Sequence, residues 1–526
     1  MRKLTQWRTI LGKTDTFRGW TNGDTVWYSP VRSQSPFNRY FPEMTEDEME
    51  ELSTGDYKNN FIVIEIGVPN AVLELPFIDE NGVEKGELEL NQHIVEDIWE
   101  EDDPDNAIDT WEFKTSVYNH ITEEEELQYH YTIPLKSKNE IKEHFITLFG
   151  EMVFNAVKDG KVKLFINSSS EINGKPLLEF ILYVLEYVGI KKEYVSVMLN
   201  NGVNVGNSRI ISWDYFLIES QFDLKYIYQM VYSSFPFDEE YLKYLSEYKK
   251  PKRYLCYNAN LHGHRLFILG WLFGKKLEEF GLISALNRQE DNLKGLLNQI
   301  ENMFLDNEFS SSTENTKEFV RESDHPLNFI LTTLPILFEK LPLILDIDNN
   351  YLLKENNALT QKFMEVYGED VNIPHMMADN QYRTDRYIHT QHFTDTYFSL
   401  VTETTWESLG WGVDNLVRVT EKIYKAVALH PFIVMGNKNT LKYLRSIGFE
   451  TFPEMFDESY DEIEDPVDRA VFIMKEVERL CSMDIEELHK IYVSVLPKIK
   501  HNQEVLMSFD GEQMLYEKLK ENLDAI

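Results

Sequence analysis

The stretch from Val419 to Gly436, VTEKIYKAVALHPFIVMG, begins with residue types suited to holding an anion. Thr420 makes a good helix N-cap, because its hydroxyl accepts an orphan backbone N–H of the first turn. Glu421 suits that turn, whereas Lys422 opposes the partial positive charge of a helix N-terminus unless an anion lies nearby. A phosphate removes the conflict, since helix N-termini and lysines both bind it well. A second cationic helix start occurs at His264 and Arg265, after the strand expected at 253–257. In open parallel sheets the carboxyl edge is where ligands bind, so the two starts together would make a diphosphate clamp. Two unrelated surface basic residues account for the pattern equally well on the physics alone.

Other constellations carry less. Asp346-Ile347-Asp348 has the D-x-D form that holds a divalent cation through oxygen ligands. His375, His389 and His392 share a segment with Asp379 and Asp385, and the last two histidines are spaced i,i+3, which suits zinc or iron. Two such aspartates arise readily by chance in an acidic chain, and no second cluster supports the histidine group. His262 and His264 read as turn and cap residues. Walker, G-x-G-x-x-G, G-x-S-x-G and H-E-x-x-H motifs do not occur.

The elements that must position these residues alternate between strand and helix from about residue 140, the rhythm of parallel βαβ units. Strands are expected at 161–167, 195–199, 253–257, 281–286, 397–402 and 431–436, with 209–218 a further apolar run. Helices are expected at 177–188, from 264 to about 280, at 420–429 and at 440–446, the last stopped by Gly448. Residues 288–392 read as mostly helical with a loop at 310–316, and everything after Asp465 reads as helix. Residues 1–150 read as an irregular, acidic, β-containing region, with strands at 61–68 and 71–77. The division is therefore 1–150, a first Rossmann-like domain at 151–248, a second at 249–464 with a helical insertion at about 288–392, and C-terminal helices at 465–526.

Composition bounds the rest. The 526 residues include 52 Lys plus Arg against 89 Asp plus Glu, a formal charge of −37. Such a surface repels phosphate backbones and anionic membranes, although a local basic pocket is compatible with it. The acidic runs at 43–51, 96–109 and 123–126 read as solvated faces. Cys256 and Cys481 are too few for a disulfide framework or a cysteine zinc site. The start lacks the apolar run of a signal peptide, and residues 326–345 are too interrupted by Pro326, Pro335, Pro342, Glu339 and Lys340 to span a membrane. The expectation is a soluble protein of the cytoplasm.

The order of elements resembles the donor-binding domain of α1,3-fucosyltransferases, which have the GT-B fold. The resemblance is carried by Arg265 after YLCYNANLHGH, Glu403 in FSLVTET, the cluster Thr420-Glu421-Lys422, and the strand PFIVMG. LKYLRSIGFETF at 441–452 and FDESYD at 456–461 further resemble uncharacterised phage-encoded proteins that look like glycosyltransferases. Together the matches cover residues 250–286 and 395–505.

The resemblance implies an α/β, GT-B-like architecture of two Rossmann-type domains facing one cleft, and transfer of a sugar from a nucleotide sugar. Arg265 and Lys422 would neutralise the donor diphosphate, which makes a metal unnecessary. Glu421 would bond hydroxyls of the ribose or sugar, and Glu403 would help to order the donor sugar. The family's asparagine and serine after the strand glutamate are here Thr404 and Thr405, so the sugar and the base stay open. An inverting transfer also needs a general base on the acceptor side. Glu171, just beyond the strand at 161–167, and Asp214 are the candidates, although position alone is poor evidence and a surface loop carboxylate is the readier reading of each. The acceptor is a glycan, a protein or a hydroxylated base in phage DNA, which would place the enzyme in host cytoplasm. A non-catalytic binding or structural protein that kept the fold is the rival from another class. Oligomeric state is not legible.

Overall fold

A computed structural model describes residues 5–11, 41, 44–45, 47–48, 60–65, 110–119, 124–134, 137–167, 169, 175–200, 210–221, 239–258, 263–285, 328–340, 343, 345, 390–404 and 417–524. The chain is α/β with parallel sheets and divides into two units, Met1–Tyr215 with Asp510–Ile526, and Phe216–Phe509.

The first unit holds a five-stranded, all-parallel sheet in the order β1-β2-β5-β6-β7. Its strands are β1 (Thr5–Leu11), β2 (Asn60–Glu65), β5 (Lys163–Asn167), β6 (Val195–Asn200) and β7 (Ile210–Trp213). The remaining pair, β3 (Thr110–Asn119) and β4 (Glu124–Pro134), forms a separate antiparallel ribbon. In β2, Phe61 to Ile64 are all buried, and so is every residue of β5. Continuous apolar runs of this kind suit strands covered on both faces, as parallel strands are.

This sheet differs from the expected division. Residues 1–150 do not stand apart from the first Rossmann-like region, because β1 and β2 extend the same sheet as β5 to β7. The acidic stretches between those strands hide the pairing in the sequence, since parallel partners need no short turn to join them.

Helices α1 (Lys138–Phe149), α2 (Glu151–Lys158) and α3 (Lys175–Tyr187) belong to this unit. A capping box starts α1: the Ser137 hydroxyl accepts from Glu140 N–H, while the Glu140 carboxylate accepts from Ser137 N–H at 3.1 Å.

The second unit holds a four-stranded, all-parallel sheet in the order β11-β10-β8-β9. The strands are β8 (Lys252–Asn258), β9 (Gly281–Ala285), β10 (Thr396–Thr402) and β11 (Phe432–Met435). Its helices are α4 (Glu239–Glu247), α5 (Gly263–Gly274), α6 (Asn328–Lys340), α7 (Thr390–Thr394), α8 (Glu421–Leu429), α9 (Thr440–Ser446), α10 (Pro466–Ser482) and α11 (Ile485–Ser508). A last helix, α12 (Gly511–Asp524), returns to the first unit, where Lys163 Nζ donates to the carbonyl of Asn522 at 3.0 Å. The helices expected as one segment at 465–526 are thus shared between the units.

Central strand β10 is buried along its whole length. His430, completely buried, links its start to the end of α8: Nε2 donates to Thr396 O at 2.6 Å, and Nδ1 meets the Ser399 hydroxyl at 2.9 Å. Burial drives the His430 pKa well below the ordinary value, so the ring is neutral. Gly281 opens β9 against the Tyr254 ring, where a Cβ would lie 2.3 Å from ring carbons, so only glycine fits. Gly448 ends α9 as expected, at φ 99°. The helix expected to run to about Phe280 stops at Gly274, because Lys276 turns into the left-handed region at φ 56°. Of the expected elements, the strand at 71–77 and most of the 288–392 insertion lie outside the described residues. Among the described residues no helix is long and apolar enough to cross a membrane.

Lys250 anchors the segment that leads into β8. Its ammonium donates to Thr394 O at 2.5 Å and Phe393 O at 3.3 Å, closing the end of α7, and lies 4.5 Å from the Tyr492 ring centre. Burial pushes its pKa down from 10.5 to about 7. The unfolded chain therefore holds a proton that the folded chain gives up between those values, so stability rises with pH across this window and is lost as pH falls towards 7. Wild type should gain on Lys250→Met by up to about 1 kcal/mol per pH unit between pH 7 and 9. Urea unfolding of both proteins measures this, and a flat difference would reject the shift.

Candidate functional site

The carboxyl ends of β8, β10 and β11 bring together the ends of three strands and the starts of two helices. Glu403 follows β10 and is held there by its backbone: its N–H donates to Met435 O at 2.9 Å, joining it to the end of β11. Its carbonyl accepts from His264 Nε2 at 2.8 Å and from Arg265 Nη2 at 3.4 Å, joining it to the start of α5. One residue of the central strand thus fixes both neighbouring elements.

The Glu403 side chain has no exposure to solvent. Oε1 accepts from the Thr420 N–H at 3.0 Å, and Oε2 accepts from the Thr420 hydroxyl at 2.6 Å and the Thr404 N–H at 3.2 Å. Thr420 is the N-cap of α8, with extended backbone and its hydroxyl accepting from Lys422 N–H at 3.4 Å. Lys422 Nζ reaches Glu421 Oε1 at 2.7 Å, Thr404 Oγ1 at 3.2 Å and Thr420 Oγ1 at 3.4 Å. Its side chain is 29% exposed and that of Glu421 20%.

Arg265, Glu403, Glu421 and Lys422 therefore form one electrostatic cluster, two cations with two carboxylates. Burial pushes the Arg265 guanidinium down to about 10, against the pull of Glu403 and Glu421. Burial likewise raises the Glu403 pKa, while Lys422 and the two Thr420 bonds act the other way. The groups differ in access: Arg265 and Glu403 are enclosed, whereas Lys422 and Glu421 reach solvent. Lys422 is the cation of the cluster that solvent reaches.

Several residues that shape this edge are not singled out by the sequence. Asn258 ends β8 and accepts from the Thr402 hydroxyl at 2.8 Å, tying the two central strands at their carboxyl ends. Asn437, just past β11, accepts from Arg418 N–H at 3.2 Å. The buried Arg469 of α10 donates to Gly436 O at 3.1 Å and Ile463 O at 2.6 Å. His264, read as a cap, spends its ring on the Glu403 carbonyl. A polar residue closing each apolar strand is the signal that would have marked Asn258 and Asn437.

The other candidates fall elsewhere. Asp214 follows β7 in the first unit and is buried. Trp213 beside it donates from Nε1 to Ser169 Oγ at 2.5 Å, and the Ser169 N–H donates to Asn167 Oδ1 at 3.2 Å. Glu171 lies outside the described residues, as do Asp346, Asp348, His262, His375, Asp379, Asp385 and His389. His392 is described, and its Nδ1 meets the Tyr257 hydroxyl at 2.7 Å. Among the described residues no group of three or more His, Cys, Asp or Glu is placed to hold a metal ion. The chain matches no protein-family profile, no curated protein and no solved structure.

The contrast in access predicts a contrast in stability. Arg265→Met strips a buried cation from two carboxylates and from two backbone carbonyls, and should cost about 3 kcal/mol. Lys422→Met removes a partly exposed pair and should change stability by less than about 1 kcal/mol. Denaturant unfolding of the two variants reads both, and equal losses would contradict the assignment of Arg265 as the enclosed member.

Proposed function

We propose that the chain is a metal-independent glycosyltransferase of GT-B type, transferring a sugar from a nucleotide-sugar donor. The observation that carries the reading is the setting of Lys422. Its ammonium stands in the first turn of α8, at the carboxyl edge of an all-parallel sheet, with Arg265 enclosed in the same cluster. As a glycosidic bond to a diphosphate breaks, negative charge collects on the leaving group. Fixed cations and helix N–H groups then stabilise the transition state without rearranging.

Binding would proceed by exchange. A donor phosphate takes the place of the Glu421 carboxylate at Lys422, and Glu421 becomes an acceptor for a hydroxyl of the ribose or sugar. Arg265, bonded to the carbonyls of Thr402 and Glu403, contributes positive potential rather than direct contact. In this reading the second unit takes the donor. The first unit takes the acceptor, with Asp214 and Glu171 the candidates for the base, and a glycan, a protein or a hydroxylated DNA base the candidate acceptors.

One observation favours a second reading, a non-catalytic binding protein that kept the fold. Both oxygens of Glu403 and the Arg265 Nη2 are engaged within the chain, as purely structural groups would be.

Ligand binding separates the two. A nucleotide or nucleotide sugar present at 100 times its dissociation constant should add about 2.7 kcal/mol of stability, so thermal melting with UDP, GDP, CDP and their sugars identifies the donor. Lys422→Ala deletes a charge-assisted bond and should weaken that ligand about 10- to 150-fold, with folding almost unchanged. Calorimetric titration measures it, and equal affinities would remove Lys422 from the phosphate site. Transfer should also survive EDTA; activity abolished by EDTA and restored by Mn²⁺ would contradict metal independence.

A further inference from the structure

The Glu403 carboxylate is set for a task other than touching a donor sugar. Three hydrogen bonds occupy its two oxygens, and none of its surface reaches solvent. Two of the three donors belong to Thr420, seventeen positions along the chain. A threonine hydroxyl has a single proton, and at 2.6 Å from Oε2 that proton belongs to Glu403. The hydroxyl's lone pairs are thereby turned towards the donors that remain, the Lys422 N–H and the Lys422 ammonium, each at 3.4 Å. The Thr404 N–H bonds the same carboxylate, and the Thr404 hydroxyl lies 3.2 Å from Lys422 Nζ. Two short paths thus run from one buried carboxylate to one ammonium. Their fixed end is the central strand, since the Glu403 backbone is bonded to Met435, His264 and Arg265.

We infer that Glu403 is a positioning residue, which acts through Thr420 to set where the Lys422 ammonium and the first N–H groups of α8 meet a phosphate, and does not itself contact the donor. This rests on the phosphate role of Lys422 proposed above, and reassigns Glu403 from the sugar to the frame that carries the phosphate site.

The two roles make opposite demands on small probes. A sugar ligand matters only when the sugar is present, whereas a positioning residue matters equally for inorganic pyrophosphate. Titration calorimetry of the full chain with pyrophosphate, and with whichever of UDP-glucose and GDP-fucose binds, compares wild type with Glu403→Gln, Thr420→Val, Thr420→Ser and the Glu403→Gln/Thr420→Val double variant. Glu403→Gln should weaken both ligands by one common factor, about tenfold. Thr420→Val should do the same, and Thr420→Ser should recover the loss. The double variant should lose less than the product of the two single losses, because both changes cut the path through Thr420 and only Glu403→Gln also touches the one through Thr404.

Loss of sugar-nucleotide affinity with pyrophosphate binding intact would overturn the inference and return Glu403 to the sugar. Losses that multiply in the double variant would overturn it too. If wild type binds pyrophosphate and all variants match it, this inference alone fails. If wild type binds neither ligand, the donor reading fails and takes the inference with it. Should Glu403→Gln not fold, the Thr420 pair decides, and equal affinities of the valine and serine forms overturn the proposal.

Discussion

The carboxylate of Glu403 lies wholly out of water, and the arrangement of the second unit follows from how that is tolerated. A buried charge survives only where donors and counter-charges replace its hydration. Thr420 gives it two hydrogen bonds and Thr404 a third, while Arg265 and Lys422 stand near enough to oppose the effect of burial. Those groups come from three separate parts of the chain, with Thr420 and Lys422 sharing one of them. The start of α5, the end of β10 and the start of α8 are therefore fixed to one another by electrostatics as well as by the sheet. The cluster also balances itself, two positive against two negative, and leaves only its Lys422–Glu421 side open to solvent.

The two ends of this sheet are finished by different chemistry. At the amino end, ring and ammonium groups are buried and turned onto backbone carbonyls: His430 on Thr396, Lys250 on Phe393 and Thr394. Those contacts satisfy the peptide groups of α7 and β10 and close the edge. The carboxyl end has such contacts too, from His264, Arg265 and Arg469, and adds side chains that bond one another, Asn258 with Thr402 and Glu403 with Thr420. Networks of that kind have alternative partners, and a polar ligand can join them without exposing a peptide group.

Much of this was legible from residue order. Strand β10 and helix α8 lie within a residue of their expected limits, because an apolar run closed by polar residues and a threonine N-cap are local signals. The convergence of Arg265 and Lys422 on one edge was also expected, from two cationic helix starts after parallel strands. The sequence could not say that Glu403 turns inward to the N-cap across the intervening residues 405–416, since that bond depends on where α8 is packed. Nor could it show β1 and β2 joining β5, because parallel pairing between distant segments leaves no turn signature. Asp461 teaches the same lesson. Within FDESYD it reads as one more acid, yet it caps α9 from twenty residues away by accepting from Leu441 N–H at 2.9 Å and Lys442 N–H at 3.0 Å.

The return of α12 to the first unit bears on how the chain is made. Residues 216–509 form a contiguous unit, whereas the first unit needs residues 510–526 as well as 1–215. At roughly 5–20 residues per second, a ribosome takes about 15–60 s to cover that interval. Throughout it β5 waits with Lys163 lacking the Asn522 carbonyl that receives its ammonium. The first unit is thus completed only after residues 216–509 have been made, and β5 gains its contact with α12 at that point.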